Sequence, residues 1–156
     1  MAASDPVDSE GPPRNAIVVG FGPVGRLVAE GLADAGCEVT ILEANPETVE
    51  KQSKLGRKIV LGDACNAQDL RKAGLETAHT LVLTMPNEDV ALRACETARA
   101  VQPDVFISAR TNFMSKGLMA MKSGADHVVV EELVTAEEMR RAVVYQLTGD
   151  KPPRKG

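Results

Sequence analysis

The sequence predicts a doubly wound α/β fold, in which helices cover both faces of a six-stranded parallel sheet, giving three layers. Short apolar runs rich in β-branched residues alternate with segments of helical periodicity along most of the chain. Runs that are apolar throughout are typical of strands buried on both faces, and alternating strands and helices form parallel sheets. Strands are predicted at residues 16–19, 39–42, 58–61, 80–83, 105–108 and 127–130.

The segments between these runs carry helix signals. After the first run, apolar residues recur at helical spacing from Val24, and Gly36 predicts the end of that helix. Thr135 and Glu138 have the spacing of a capping box, which predicts a last helix that extends to Leu147. The other helices are predicted to begin at Asn45, near residue 66, at Asn87 and near residue 112.

The length and composition are those of one folded domain. A chain of 156 residues has room for a single core, and its 44% of hydrophobic and 26% of charged residues are ordinary globular values. Residues 1–14 are rich in Pro, Asp and Ser and are predicted to be a flexible leader, and residues 149–156 a polar tail. The domain is therefore predicted at residues 15–148.

The charge and the cysteines exclude several classes of function. A net charge of −4 and 3% of aromatic residues argue against a nucleic-acid partner, which needs cations and stacking side chains. Cys37, Cys65 and Cys95 are an odd number without CxxC spacing, so neither a disulfide framework nor a metal site is predicted. No apolar run approaches the ~18 residues that span a bilayer, and we expect a cytoplasmic location.

A glycine motif lies between the first predicted strand and the first helix. It reads Gly20-Phe21-Gly22-Pro23-Val24-Gly25 and has the G-x-G-x-x-G spacing of a Rossmann-like phosphate-binding turn. In that interpretation Gly20 permits a tight turn, Gly22 lets a pyrophosphate approach the backbone, and Gly25 lets the helix pack on the strand. Free N–H groups at the helix start would bind the phosphate. The alternative is a cluster of glycines required by the turn alone.

Glu43 ends the second predicted strand, 18 residues after Gly25. An acid at about this position accepts hydrogen bonds from the adenosine ribose in such folds. Because a carboxylate repels a 2′-phosphate and Ala44 and Asn45 offer no arginine, NAD(H), AMP, ADP or ATP is favoured over NADP. A solvated acid at a strand end is the alternative for Glu43.

Three further strand ends carry candidate residues. Asp63 and Ala64 follow the third strand and suit either an adenine edge or a turn before a helix. Thr84 and Met85 follow the fourth strand, where a ligand contact and a helix cap are equally consistent with the sequence. Arg110 closes the fifth strand, at the edge where phosphates bind in open α/β sheets, and a salt bridge is its alternative role.

A small NAD-dependent oxidoreductase is the alternative function, since the same fingerprint serves hydride transfer. The predicted strands and helices leave no substrate domain, and Tyr145, the only tyrosine, has Gly149 where a Tyr-x-x-x-Lys motif needs lysine. Motifs for zinc hydrolysis, esterase chemistry and Walker-type phosphoryl transfer are missing from the sequence as well. We therefore expect a binding module and not an enzyme.

Six motifs follow one another along the chain: GFGPVG, Glu43, LGDA at 61–64, LVLTMP at 81–86, ISAR at 107–110 and GADHVV at 124–129. This ordered set resembles the nucleotide-binding domain of regulators of potassium conductance, also called the RCK N-terminal or Trk-type (TrkA-N) domain. The stretch GFGPVGR and the pair Glu131-Glu132 are most similar to the cytoplasmic regulatory domains of Kef-type monovalent cation:proton antiporters. The resemblance covers about residues 15–148.

The resemblance implies a sensor that binds NAD(H) or an adenine nucleotide and controls potassium or proton flux through a membrane transporter or channel partner. It assigns the phosphate to Gly20, Gly22, Pro23, Val24 and Gly25, the ribose to Glu43 and Ala44, and the adenine to Asp63 and Ala64. Arg110 matches the arginine of the family's fifth strand. Many relatives have an arginine where this chain has Pro23, so any phosphate contact made by that arginine is missing here.

The resemblance also implies a homodimer. Residues 112–121 carry Phe113, Leu118 and three methionines, more apolar surface than one helix face requires, although core packing accounts for part of it. This helix and the last one, Thr135–Leu147, are the candidate contact surfaces. The sequence shows no second ligand domain and no membrane segment, so the chain is expected to be a separate subunit or a fragment of a longer protein.

Overall fold

The computed structural model describes residues 14–150, in which strands and helices alternate. The strands are β1 (Asn15–Val19), β2 (Glu38–Glu43), β3 (Ile59–Leu61), β4 (Thr80–Leu83), β5 (Phe106–Thr111) and β6 (His127–Val130). The helices are α1 (Pro23–Asp34), α2 (Pro46–Lys54), α3 (Ala67–Lys72), α4 (Glu88–Val101), α5 (Met114–Lys122) and α6 (Glu131–Thr148). A 3₁₀ turn, Leu75–Thr77, precedes β4.

The strands form one parallel sheet with the order β3-β2-β1-β4-β5-β6. β1 lies at the centre, where Val18 is in register with Ile41 of β2 on one side and with Val82 of β4 on the other. The chain first adds strands on one side of β1 and then on the other, so the strand order reverses between β1 and β4. The predicted doubly wound, Rossmann-like α/β fold is confirmed.

Alternate residues of β1 face two separate apolar layers. Ile17 and Val19 pack into the larger core cluster, together with buried residues of α4 and α5 such as Cys95 and Ala120. Val18 points to the opposite face and packs against Ala29 of α1. Because successive side chains of a strand point to opposite faces, the apolar residues 16–19 of β1 fill both layers. The sheet is thus the middle of three layers.

α6 begins earlier than its sequence predicts. The chain enters the helix at Glu131, directly after β6, and the capping box expected at Thr135 and Glu138 does not form, since both residues lie inside the helix. Glu131 and Glu132 in the first turn favour this start, because acidic side chains complement the positive end of the helix dipole. The expected start at Thr135 is therefore wrong by four residues.

β5 also differs from the expected strand at 105–108, because it runs from Phe106 to Thr111. Its carboxyl end pairs with β6, with Arg110 opposite Val129 and Thr111 opposite Val130. The ladder therefore extends the strand beyond its apolar run. The predicted leader (1–14) and tail (149–156) lie outside the described residues, apart from Arg14, Gly149 and Asp150.

Arg99 of α4 joins the loop between α5 and β6 to the loop that precedes β5. Its Nη1 donates to the carbonyl oxygens of Pro103 and Val105, both at 2.7 Å. Its Nη2 donates to the carbonyl oxygen of Gly124 at 2.6 Å and to Oδ2 of Asp126 at 2.8 Å. One guanidinium thus satisfies three loop carbonyls and a carboxylate.

Candidate functional site

One cavity of about 430 Å³ opens at the carboxyl ends of the strands on both sides of the point where the strand order reverses. In open α/β sheets this crevice is the usual place for ligands, and its volume falls within the range of small-molecule sites. All thirteen residues selected from the sequence line it: Gly20, Phe21, Gly22, Pro23, Val24, Gly25, Glu43, Ala44, Asp63, Ala64, Thr84, Met85 and Arg110.

The three glycines of the motif have different structural environments. Gly20 has φ +94°, which L side chains rarely adopt, and a Cβ there would lie 2.8 Å from Oγ1 of Thr84. A Cβ on Gly25 would lie 2.0 Å from the carbonyl oxygen of Gly20. A Cβ on Gly22 would have no heavy atom within 4 Å. Gly20 and Gly25 are therefore required by the backbone, whereas the protein leaves open space at Gly22.

α1 starts at the cavity without a side-chain cap. Its first turn begins at Gly22 and Pro23, and no acidic residue lies in it. α5 and α6 have no side-chain cap either, whereas α2, α3 and α4 each begin after an asparagine, Asn45, Asn66 or Asn87, whose side chain accepts a hydrogen bond from a first-turn N–H. The first N–H groups of a helix have no partner within the helix, and they attract anions. The start of α1 can therefore bind a phosphate.

Glu43 lies at the end of β2 with its carboxylate held at the glycine turn. Its Oε2 accepts a hydrogen bond of 3.0 Å from the backbone N–H of Phe21. The carboxylate is half-buried and lines the cavity, beside the exposed Ala44. A carboxylate in this position can accept further hydrogen bonds from ligand hydroxyls, which is the role considered for it from the sequence.

Phe21 lines the cavity, and its ring packs against the smaller core cluster under α1. The guanidinium of Arg57 lies 5.0 Å from the centroid of this ring, in cation–π contact. Arg57 also donates from Nε to Oε1 of Gln52 at 3.1 Å. Arg57 is not a candidate from the sequence, because it lies 36 residues from Phe21 in the chain and belongs to no motif.

Asp63 and Thr84 both make hydrogen bonds within the protein, the first within its own turn and the second to a neighbouring strand. Oδ1 of Asp63 accepts from the N–H of Cys65 at 2.8 Å, and Asn66 caps α3, so Asp63 forms a turn. Oγ1 of Thr84 donates to the carbonyl oxygen of Val19 at 2.7 Å, which ties β4 to the end of β1. The cap of α4 is Asn87. Both residues remain on the wall of the cavity.

Arg110 forms the salt bridge considered for it and also lines the cavity, where its contact with a phosphate stays a prediction. Its Nη1 donates to the carbonyl oxygen of Thr84 at 3.1 Å, and its Nη2 forms an ion pair with Glu131 of α6. Five other lining residues are not among the candidates from the sequence: Val19, Leu42, Gly62, Pro86 and Val90. No sequence motif marks Val90, because it lies in the first turn of α4 and not at the end of a strand.

Fold and cavity together define a Rossmann-like α/β domain with a ligand-sized crevice at the carboxyl ends of its strands. Residues 16–131 match the model of the TrkA-N domain family. The chain belongs to this family, and the resemblance drawn from its motifs is confirmed.

The chain is similar to one segment of longer proteins. It is 34% identical over 126 residues to YbaL of Escherichia coli (strain K12), described as a candidate cation/proton antiporter, covering 81% of this chain and 23% of that protein. It is 28% identical over 137 residues to a glutathione-regulated potassium-efflux system protein of Haemophilus influenzae, covering 88% of this chain and 22% of that protein. The chain thus spans less than a quarter of each relative. Within residues 14–150, no helix is both long and apolar enough to cross a membrane.

Solved structures share the fold. The TrkA-N domain of the E. coli inner membrane protein YbaL superposes with a TM-score of 0.80 at 32% identity, covering 84% of this chain and 97% of that one. The Kef C-terminal domain of Shewanella denitrificans, in an AMP-bound form, has a TM-score of 0.75 at 24% identity, covering 86% of this chain and 82% of that one. The GsuK channel bound to NAD has a TM-score of 0.67 at 18% identity, covering 79% of this chain and 22% of that one. GsuK bound to ADP has a TM-score of 0.75 at 22% identity, covering 85% of this chain and 34% of that one.

Proposed function

We propose that residues 15–148 form a nucleotide-sensing regulatory module, which binds NAD(H) or an adenine nucleotide and controls monovalent cation transport. The observation that carries this proposal is the uncapped start of α1, which faces a cavity of about 430 Å³ with open space at Gly22. The site offers backbone donors for phosphate and the Glu43 carboxylate for ribose hydroxyls. Relatives in NAD-, ADP- and AMP-bound forms support the ligand class.

The proposed partner is a membrane transporter or channel subunit that carries potassium or another monovalent cation. The support is the similarity to YbaL and to the Haemophilus potassium-efflux protein, whose names describe cation transport. The module would then work in the cytoplasm, at the inner face of the membrane, either as part of a longer chain or as a bound subunit. Its output would be a conformational change and not a chemical product.

A homodimer is the proposed assembly, because a sensor must convert ligand binding into motion relative to a neighbour. α5 and α6 carry large apolar side chains that are exposed in the single chain. They are Phe113, Met114, Leu118, Met119 and Met121 near α5, and Leu133, Val134, Met139, Val143 and Leu147 on α6. A second copy of the chain would cover such surface.

The function is tested by calorimetry and thermal shift with NAD, NADH, NADP, AMP, ADP and ATP. We expect at least one nucleotide without a 2′-phosphate to bind and to raise the melting temperature, since a ligand that binds only the folded state stabilises it. Incubation with NADH and a panel of carbonyl compounds should leave the NADH unconsumed. Lack of binding by all six nucleotides would refute the sensor, and substrate-dependent oxidation of NADH would favour the oxidoreductase.

A further inference from the structure

Arg110 connects the candidate nucleotide cavity to the last helix. Its Nη1 donates to the carbonyl oxygen of Thr84, on the wall of that cavity, and its Nη2 pairs with Glu131. Glu131 is the first residue of α6. One guanidinium therefore contacts both the wall of the proposed binding site and the start of a helix.

The ion pair leaves part of the guanidinium unsatisfied. Nε of Arg110 is buried and has no hydrogen-bond partner among the described residues. The side chains of Arg110 and Glu131 are 22% and 39% exposed, so solvent weakens the pair. Phosphate oxygens pair strongly with guanidinium, often through two parallel hydrogen bonds. An anionic ligand in the cavity can therefore compete with Glu131 for this side chain.

α6 is poorly anchored to the rest of the domain. None of its 18 residues is buried, and it packs against β6. A second, mainly apolar cavity of about 400 Å³ separates its first turns from α1 and from the sheet, with Val134 on one wall and Val28 on another. Arg110 lines this second cavity too. The Arg110–Glu131 pair thus bridges a region where packing does not fix the helix.

We propose that a nucleotide phosphate draws Arg110 away from Glu131 and thereby loosens the first turns of α6. This inference rests on the proposed function, because it requires an anionic ligand in the first cavity. Ligand and Glu131 compete for one guanidinium, so each weakens the binding of the other. α6, with its exposed apolar side chains, is then the element that reports occupancy of the site to a neighbouring chain.

Hydrogen–deuterium exchange of the backbone amides of residues 134–137, the first that donate within α6, tests the proposal, with calorimetry on the same samples. We expect saturating NAD or ADP to raise the exchange rate of these amides about two- to fivefold, the range expected for loss of a partly exposed ion pair. In Glu131→Gln these amides should exchange at the faster rate without ligand. The same variant should bind nucleotide about two- to fivefold more tightly, because the ligand no longer displaces a carboxylate.

Glu132→Gln is the matched control. It removes the same charge from the same helix turn, and Arg110 pairs with Glu131 and not with Glu132. We expect wild-type exchange and wild-type affinity from this variant. Nucleotide binding without a change in the exchange of α6, or equal effects of the two variants, would overturn the inference and leave the proposed function intact. Failure of every nucleotide to bind the unmodified protein would overturn both.

Discussion

The backbone N–H of Phe21 donates to Oε2 of Glu43 across 3.0 Å, which joins the glycine turn to the end of β2. The bond fixes a carboxylate beside the start of α1. A ligand that places its phosphate on α1 and its ribose on β2 would therefore meet groups that are already oriented. Preorganised groups of this kind lower the cost of binding.

This relationship leads to an expectation for selectivity between NAD and NADP. We expect NADP to bind about 10- to 100-fold more weakly than NAD, because its 2′-phosphate would face the Glu43 carboxylate. Glu43→Gln should reduce the difference in affinity between NAD and NADP, because it removes the negative charge. The amide oxygen of the glutamine can still accept a hydrogen bond from the N–H of Phe21. Calorimetry measures both affinities. Equal affinities in the unmodified protein would show that Glu43 does not face the ribose.

Gly22→Val should abolish nucleotide binding and leave the fold intact. The backbone of Gly22 has φ −82°, and a Cβ there meets no atom of the protein, so the new side chain would project into open space at the cavity. Gly31→Val is the matched control, because Gly31 lies in α1 away from the cavity and also has no atom within 4 Å of its Cβ position. Thermal melting checks the fold and calorimetry the affinity. Undiminished affinity in a folded Gly22→Val protein would contradict the proposed phosphate site.

Replacement of Arg99 should strongly destabilise the domain. Arg99→Met removes four hydrogen bonds, three of them partly buried, and leaves Val105, Gly124 and Asp126 without this donor, so we expect a loss of about 2–4 kcal/mol in the free energy of unfolding. Arg140→Met is the control, because Arg140 pairs with Glu137 at the surface and its loss should leave stability nearly unchanged. Urea denaturation measures the free energy of unfolding of both variants. Similar stabilities of the two variants would show that Arg99 has no special structural role.

Leu118→Asp should weaken self-association if α5 forms the proposed dimer contact. Leu118 is 68% exposed in the single chain, and an aspartate in an apolar contact would lose its hydration without gaining a partner. Leu55→Asp is the control, since Leu55 is 69% exposed at the end of α2, away from α5 and α6. Light scattering at micromolar concentration measures the mass. A monomer at every concentration, with and without nucleotide, would exclude the dimer.

Cys95 should contribute a pH dependence to stability under alkaline conditions. Burial raises the pKa of its thiol to about 11, whereas a thiol in the unfolded chain titrates near 8.5. Between these values the unfolded state loses its proton first, so stability falls as pH rises, by up to about 3 kcal/mol near pH 11. Urea denaturation at pH 8, 9 and 10 should show that the free energy of unfolding falls less steeply with pH in Cys95→Ala than in the unmodified protein. Equal slopes in the two proteins would show that folding does not raise the pKa of the Cys95 thiol.

The sequence predicted those features that local patterns determine. The apolar run that becomes β1 and the glycine motif that starts α1 gave the fold class and the position of the cavity. The start of α6 was missed although Glu131 and Glu132 are a local signal for it, because the capping-box spacing of Thr135 and Glu138 pointed to a later start. Arg57 was missed for a different reason, since its contact with Phe21 exists only after the sheet has formed. A competing local signal thus accounts for the first error, and a contact between distant segments for the second.

A Cβ at Gly25 would lie 2.0 Å from the carbonyl oxygen of Gly20, and this contact decides which substitutions saturation mutagenesis of the glycine motif can recover. The obstructing atom belongs to the backbone and cannot rotate away, so substitutions at Gly25 would be eliminated in any screen for soluble expression. Substitutions at Gly22 would survive that screen and disappear only when cells depend on the regulated activity. Intolerance at Gly25 would therefore carry no information about the ligand, whereas a difference between the two screens at Gly22 would identify the ligand-binding position.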